Sequence, residues 1–209
     1  MRTLAIDCAT DACSVALFEG EALLAHDYTV IGRGHAERLV PMIAALPDKG
    51  CAARILVSLG PGSFTGVRIG LAAARALGLA WGAQVLGYPT LALVATMARD
   101  RHGPQAVTVA MSGGHGEWFV ADFAADGLPL SSLASLTPEA ARGRGHAGLV
   151  AGSQAAALTE GMDGVQALDL LPDAAQALLL PPALLTTDLA PIYGRAPDAR
   201  PAAAPVPAA

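Results

Sequence analysis

The residues with the most evident chemical potential are Asp7, at the end of an apolar stretch, and the glycines of the run 60–70. Glycines that follow a strand let the backbone approach a ligand closely, and free N–H groups at the start of the next helix attract anions. An aspartate beside such a turn could hold Mg²⁺ or orient a water molecule beside a phosphate group. A nucleotide site in this chain would therefore use Asp7, Gly60 and Gly62.

The glycine run lacks two parts of the known phosphate-binding loops. A Walker-type loop needs a lysine and a hydroxyl residue to close the turn, and the run 60–70 contains no lysine. In a dinucleotide fingerprint the third glycine comes three residues after the second, whereas Gly66 comes four residues after Gly62. The sequence therefore predicts an incomplete nucleotide site, in which the hydroxyl of Ser63 or Thr65 caps the following helix.

The helix after this turn carries a ridge of small residues. Residues spaced four apart lie along one side of a helix, and this ridge consists of Gly66, Gly70, Ala74 and Gly78. Each glycine lowers helix stability by about 0.8–1 kcal/mol relative to alanine, so close packing must recover the loss. We expect a partner helix to pack there, with Arg68 and Arg75 as the polar rim of the interface. A phosphate or carboxylate clamp is the alternative role for the two arginines.

The spacing of histidines and cysteines does not match a metal site. The histidines are His26, His35, His102, His115 and His146. No two of them lie three to five residues apart, and the three cysteines lack CxxC spacing. We therefore expect buried thiols, no metal and no cofactor. We interpret His35 as a surface residue at a helix end rather than as a catalytic group.

The composition excludes two broad classes of protein. With 53% hydrophobic residues and a mean hydropathy of +0.46, the chain of 209 residues is folded rather than disordered. The net charge is −5 and Lys49 is the only lysine, which excludes a stand-alone nucleic-acid-binding protein. No apolar run is long enough to span a membrane, and Met1 leads directly into a strand. We predict a cytoplasmic protein without membrane association.

The order of predicted elements indicates an α/β fold. In chain order, the first half has strands at 3–7, 13–18, 22–28, 55–59 and 85–87, with helices at 36–46, 65–81 and after 90. Pro41 predicts a kink in the first helix, or a start near Leu39. Three consecutive strands that open on an aspartate resemble the first lobe of the ribonuclease H-like and actin-type ATPase folds.

The second half repeats part of the first. After a polar break at 99–104, strands at 106–111 and 117–123 echo the opening strands, and Thr137 precedes a short helix that starts with Pro138. This weak repeat predicts two lobes of mixed sheet covered by helices. The predicted divisions are a first lobe at 1–100, a smaller second lobe at 101–195 and a disordered Ala- and Pro-rich tail at 196–209.

Several segments together resemble the TsaB (YeaZ) family. They are residues 4–7, 12–17, 32–43 and 60–71, with thinner support from 191–195. The resemblance implies a two-lobed actin-like ATPase fold of the ASKHA, ribonuclease H-like group, with mixed sheets flanked by helices. Family members often carry hydroxyl residues where this chain has Cys8 and Ala9, and an Asp-Ala-Arg run where it has 112–114. The first departure further weakens any self-contained nucleotide site.

The resemblance implies a subunit that is not itself an enzyme. In this family TsaB binds the catalytic subunit TsaD. The assembly, with the ATPase TsaE, installs N6-threonylcarbamoyladenosine in tRNA at the adenosine beside the anticodon. The nucleotide site and the metal-binding histidines then belong to TsaD, and tRNA is reached only through the complex. We expect the isolated chain to form a homodimer.

We place the partner interface on the helices at 36–46 and 65–81. The predicted contact residues are His35, Leu39, Ile43, Gly66, Arg68, Gly70, Ala74, Arg75 and Gly78. A bulky residue at Gly70 or Ala74 would then abolish TsaD binding and leave the fold intact. The first alternative is an independent actin-fold ATPase or kinase that uses Asp7 and the turn at 60–66. The second is a metallopeptidase-like protein, which the missing metal-ligand spacing disfavours.

Overall fold

The computed structural model describes residues 1–194, so the predicted tail at 196–209 and Arg195 lie outside the described residues. The first sheet contains five strands in the order β3-β2-β1-β4-β5. The strands are β1 (Arg2–Asp7), β2 (Ala12–Glu19), β3 (Ala22–Val30), β4 (Arg54–Ser58) and β5 (Gln84–Tyr88). The first three are antiparallel neighbours, whereas β4 and β5 continue the sheet in parallel with β1.

The second sheet has the same strand order and the same strand directions as the first sheet. Its members are β6 (Val107–Ser112), β7 (Trp118–Phe123), β8 (Ala134–Leu136), β9 (Leu149–Ala151) and β10 (Gln166–Leu168). The order is β10-β9-β6-β7-β8, with β6, β7 and β8 antiparallel and β9 and β10 parallel to β6. The internal repeat therefore extends to all five strands of each sheet. This is the predicted two-lobed, actin-like α/β fold.

Five α-helices lie within residues 1–194. They are α1 (His35–Ala45), α2 (Phe64–Trp81), α3 (Thr90–His102), α4 (Pro138–Arg142) and α5 (Ala155–Leu158). The predicted start of α1 near Leu39 is wrong, because the helix runs continuously through Pro41. Pro41 lies on the exposed side of α1, where solvent can satisfy the carbonyl oxygen that loses its hydrogen bond. No helix in this part of the chain is long and apolar enough to cross a bilayer.

The two faces of the first sheet bury different helices. Because side chains alternate along a strand, Leu4 and Ile6 of β1 pack with α1 and α2, whereas Ala5 packs in the cluster that contains α3. Residues 90–98 of α3 are all buried, and the apolar residues among them share one cluster with residues of the second sheet such as Val109. The helices α1 and α2 therefore cover the outer face of the first sheet.

The last described segment returns to the first lobe. Ala174 N donates to Ser14 Oγ at 3.0 Å, and Ile192 N donates to Leu59 O at 2.7 Å. His26 Nε2 lies 2.8 Å from Asp173 Oδ1. The end of the predicted second lobe at 101–195 thus packs on the first lobe.

Candidate functional site

A cavity of about 760 Å³ lies between the lobes. Its walls include residues 9–11 of the β1–β2 turn, the start of α2, residues 112–115 at the end of β6 and after it, and residues 192–194. A volume of this size falls within the range of small-molecule pockets. Of the three residues predicted to bind a nucleotide, Gly62 lines this cavity, while Asp7 and Gly60 are not among the described lining residues.

Backbone donors of the glycine turn at 60–66 are bonded inside the protein. Ser63 N donates to Ala9 O at 2.7 Å, and Gly60 N donates to Ser58 Oγ at 3.3 Å. The predicted helix cap is present, because Ser63 Oγ accepts from Gly66 N at 3.2 Å. A phosphate-binding turn instead points its N–H groups at the ligand. These three donors are therefore not directed at an anion.

The β1–β2 turn occupies the concave side of the glycine turn. A Cβ atom added at Gly62 would overlap the carbonyl oxygen of Ala9, and one added at Gly66 would overlap that of Cys8. Glycine is needed at both positions because two backbone segments meet there. The partially negative carbonyl oxygens of Ala9 and Cys8 lie directly against Gly62 and Gly66, which disfavours an anion there and counts against the nucleotide interpretation of this turn.

Asp7 is enclosed rather than presented to the cavity. Its side chain is 1% exposed, its Oδ1 accepts from Ala9 N at 2.9 Å and its Oδ2 accepts from the Tyr88 hydroxyl at 3.1 Å. Burial raises the pKa of Asp7 to about 6, although the bonds from Ala9 and Tyr88 act in the opposite direction. A carboxylate enclosed in this way does not reach a metal ion or a phosphate between the lobes.

Arg68 and Arg75 bind the returning segment of their own chain. The Arg68 guanidinium carbon lies 3.5 Å from the centre of the Phe64 ring, and its Nη2 donates to the Tyr193 hydroxyl at 2.9 Å. Arg75 Nη2 donates to Leu189 O at 3.0 Å. The two arginines therefore hold the returning segment against α2. Both side chains are also exposed to solvent. The sequence did not predict the contact between Arg68 and Tyr193, because Tyr193 lies far from α2 in the sequence and only the folded chain brings them together.

The glycine ridge of α2 faces the protein's own sheet. All four ridge residues, Gly66, Gly70, Ala74 and Gly78, are buried. A Cβ atom at Gly78 would overlap Val85 of β5, and one at Gly70 would contact Ile6 of β1 and Val57 of β4. Expecting a partner helix on this ridge was therefore wrong, because the sheet already occupies it. A bulky residue at Gly70 or Ala74 would disturb the core rather than an interface.

The predicted contact residues of α1 are also internal. Leu39 and Ile43 belong to the apolar cluster between α1, α2 and the sheet. His35 is buried, and its Nε2 donates to Thr10 O at 2.9 Å, with Ala12 O at 3.3 Å. His35 thus fixes the start of α1 to the β1–β2 turn. The interpretation of His35 as a surface residue was wrong, because its side chain is buried against the β1–β2 turn and the first residue of β2.

Replacing His35 by alanine is expected to lower the free energy of unfolding by about 1–3 kcal/mol, because it leaves buried carbonyl oxygens without a donor. Chemical denaturation monitored by circular dichroism measures the change. Glu37→Ala is the control in the same helical turn, where the side chain is exposed, and it should change the value by less than about 0.5 kcal/mol. Equal effects of the two substitutions would contradict the anchoring role.

The outward faces of α1 and α2 form an exposed apolar surface, which we call the outer helix face. Its defining residues are Val40, Pro41 and Ala44 of α1 with Ala72, Ala76, Leu79 and Ala80 of α2. Leu79 is 88% exposed and Val40 is 61% exposed. Ala72, Ala76 and Ala80 are again spaced four apart, two positions away from the glycine ridge. Two positions correspond to about 200° around a helix, so this alanine ridge lies opposite the glycines.

The signal for the outer helix face was present in the sequence, because the alanine ridge has the same spacing as the glycine ridge. Apolar surface left exposed in this way marks sites of interaction with other proteins. Within residues 1–194 the structure contains no group of three or more side chains that could hold a metal ion. Of the cavity and the outer helix face, the second is the better candidate for a functional surface.

A family model and two solved structures are similar to this chain. A family model described as TsaD, tRNA N6-adenosine threonylcarbamoyltransferase, matches residues 29–135, about half of the chain. The solved structure of YeaZ from Pseudomonas aeruginosa is 33% identical with a TM-score of 0.72, and the match covers 85% of this chain and 88% of that one. A second solved structure, an uncharacterized protein from Pseudomonas aeruginosa with similarity to peptidase YEAZ, is 31% identical with a TM-score of 0.70 over 85% of this chain and 88% of that one.

Curated relatives match over a shorter length. The tRNA threonylcarbamoyladenosine biosynthesis protein TsaB of Escherichia coli is 38% identical over 131 residues, which are 60% of this chain and 56% of that protein. The protein of the same name from Haemophilus influenzae is 38% identical over 119 residues, 53% of this chain and 49% of that protein. The chain thus spans about half the length of these curated relatives.

Proposed function

The chain belongs to the TsaB (YeaZ) family, and on that basis we propose that it is a non-catalytic subunit that binds TsaD and supports formation of N6-threonylcarbamoyladenosine in tRNA. The proposal extends to an assembly with TsaE, to contact with tRNA only through that assembly, and to self-association when TsaD is absent. The observation that carries it is the outer helix face, an apolar surface on two neighbouring helices of the first lobe.

The outer helix face has the chemistry of a helix-packing surface. Small side chains at Ala72, Ala76 and Ala80 allow another helix to approach closely, and Leu79 and Val40 supply larger apolar groups beside them. Exposed groups of this kind gain about 25 cal/mol for each Å² removed from water, before the entropy cost of association. The match to the TsaD family model supports a partner of related fold.

Asp7 is buried and the glycine turn is packed against the β1–β2 turn. Both observations favour a non-catalytic role for this chain. The N–H groups of Gly60, Ser63 and Gly66 donate to internal acceptors, and the carbonyl oxygens of Cys8 and Ala9 pack against the turn. Among the described residues that line the cavity, Arg68 is the one with a fixed positive charge, and it already contacts Phe64 and Tyr193. An independent ATPase or kinase would need more charge to bind a nucleoside triphosphate.

Ala76→Arg and Leu79→Arg are expected to weaken binding to TsaD of the same organism by at least about tenfold, because each places a charge in the centre of the outer helix face. Isothermal titration calorimetry with purified TsaD measures the change. Leu130→Arg is the matched control, since Leu130 is 65% exposed on the second lobe and lies outside α1 and α2. Unchanged affinity for both outer-face variants would remove this surface as the binding site.

The role in tRNA modification has a separate test. Unmodified tRNA and threonylcarbamoyl adenylate would be incubated with purified TsaD, TsaE and ATP, with and without this chain, and the threonylcarbamoyladenosine formed in the tRNA would be measured by mass spectrometry. We expect the product to require the chain, and the Ala76→Arg variant to lower the yield at limiting concentration. Full modification without the chain would contradict the proposed function, whatever the outcome of the binding experiment.

A further inference from the structure

Two of the three cysteines form a close pair at the open end of the β1–β2 hairpin. The last registered pair of these strands is Asp7 with Ser14, so Cys8 and Cys13 are the next residues opposite each other. Their sulfur atoms lie 3.6 Å apart, and both side chains are buried. Cys51 is exposed and lies outside the hairpin. The sequence predicted buried thiols but gave no reason to expect that two of them would be neighbours.

The positions of Cys8 and Cys13 suit a disulfide bond. Directly opposite residues of an antiparallel pair have Cα atoms about 4.5–5.5 Å apart, which lies inside the range of about 4.4–6.8 Å that disulfides span. Bond formation needs the sulfur atoms to approach to about 2.0 Å. Side-chain rotation and a small adjustment of residues 9–12 between the cysteines can supply that movement, because Asp11 within this segment is exposed and Thr10 is half-buried, while Ala9 and Ala12 are buried.

The two thiols are also unequal in reactivity. The hydrogen bond from the Cys8 thiol lowers the pKa of Cys13, and the same bond together with burial raises the pKa of Cys8. Cys13 is therefore the sulfur that more readily becomes a thiolate, which is the nucleophilic form. The turn residues between the cysteines, 9–11, line the cavity between the lobes. A small oxidant in that cavity lies next to the turn and needs only local opening to reach the sulfur.

We propose that Cys8 and Cys13 are a reversible thiol–disulfide pair that hydrogen peroxide oxidises and a dithiol reduces. The Cys13 thiolate attacks one peroxide oxygen, the O–O bond breaks, and the released hydroxide takes up a proton to form water. The resulting Cys13 sulfenic acid is attacked by the sulfur of Cys8, and its hydroxyl leaves with the Cys8 proton as a second water molecule. The two thiols lose two electrons in total, and the peroxide gains them.

The disulfide would act on the start of α2. Ala9, inside the closed loop, accepts the hydrogen bond from Ser63 N at 2.7 Å, and the carbonyl oxygen of Cys8 packs on Gly66. Restraining the hairpin end therefore restrains the contact that positions the first turn of α2. The proposal does not depend on the function of the outer helix face, because it concerns two thiols and the hairpin that carries them.

The test uses the full chain with Cys51→Ser, which removes the exposed thiol and leaves the pair unchanged. The folded protein is treated with hydrogen peroxide, denatured in an alkylating reagent and weighed intact by mass spectrometry. We expect a loss of the mass of two hydrogen atoms and no alkylation, with both thiols alkylated after dithiothreitol. Alkylation of both thiols after peroxide treatment would overturn the proposal. So would the addition of oxygen atoms to Cys8 or Cys13 in place of a disulfide, which peptide mapping distinguishes from oxidation of methionine.

A second variant identifies the attacking sulfur. In Cys8→Ala with Cys51→Ser the resolving thiol is absent, so Cys13 should remain as a sulfenic acid that dimedone traps, as peptide mapping would show. Circular dichroism checks that the variant is folded. In Cys13→Ala with Cys51→Ser, trapping at Cys8 should be at least about tenfold slower, because burial and the charge of Asp7 still raise the pKa of Cys8 once its hydrogen bond to Cys13 is lost, whereas the charge of Arg38 still lowers the pKa of Cys13 in the other variant. Equal or faster trapping at Cys8 would overturn the assignment of Cys13 as the nucleophile.

Discussion

Gly66→Ala is expected to lower the free energy of unfolding by about 3 kcal/mol, whereas the same substitution at Gly70 in the same helix should raise it by about 0.5–1 kcal/mol. At Gly66 the new Cβ atom would overlap the backbone carbonyl of Cys8. At Gly70 the nearest atoms, Cys8 Cβ and Val57 Cγ2, would both be 3.7 Å away, an ordinary contact distance. Gly70→Ala then keeps the gain in helix propensity without a clash.

Chemical denaturation of the two variants measures both changes. Both variants replace glycine by alanine in the same helix, so the gain in helix propensity is similar in the two. The difference between their free energies of unfolding therefore measures how closely the β1–β2 turn packs on α2. Under the proposed function, Gly70→Ala should bind TsaD with the same affinity as the unmodified chain, because Gly70 is buried against the sheet. A loss of TsaD affinity in a folded Gly70→Ala protein would restore the glycine ridge as the interface.

Asp7→Asn is expected to stabilise the protein at pH 7.5 by up to about 3 kcal/mol. Burial raises the pKa of Asp7 to about 6, against about 3.9 in an unfolded chain. The folded state therefore holds its proton more tightly. The resulting stabilisation is complete below pH 4 and is lost as the pH rises through 6. Asparagine keeps an acceptor for Ala9 N and carries no charge. The variant should therefore not lose this stabilisation as the pH rises.

Urea denaturation between pH 4 and pH 8 tests the prediction. The unmodified chain should lose stability across this range, while the Asp7→Asn variant should show a smaller decline and exceed it above pH 6. Asp11→Asn is the control for a charge change on the exposed part of the same turn, and it should leave the difference between pH 4 and pH 8 nearly unchanged. A destabilised Asp7→Asn variant at pH 7.5 would show that the ionised carboxylate contributes favourably, as a ligand-binding aspartate would.

Much of the local structure followed from the sequence because it depends on neighbours along the chain. The strands β1, β2 and β3 were predicted to within two residues of their observed ends, and the Ser63 and Thr137 caps lie where the hydroxyl pattern indicated. Three strands of the second sheet, β8, β9 and β10, have only three residues each. Such strands are too short for their alternation to stand out, so the sequence indicated the repeat from only two strands, at 106–111 and 117–123.

The sequence by itself determined the fold class, the internal repeat and the incompleteness of the phosphate loop, since these follow from periodicity and residue type. The tertiary structure decided which side of α2 faces outward. Both the glycine ridge and the alanine ridge are small and regularly spaced, so the pattern alone could not orient the helix. The backbone of Cys8 and Ala9 comes so close that only residues without a Cβ atom fit beneath it. The glycines therefore face the sheet, and the alanines remain exposed.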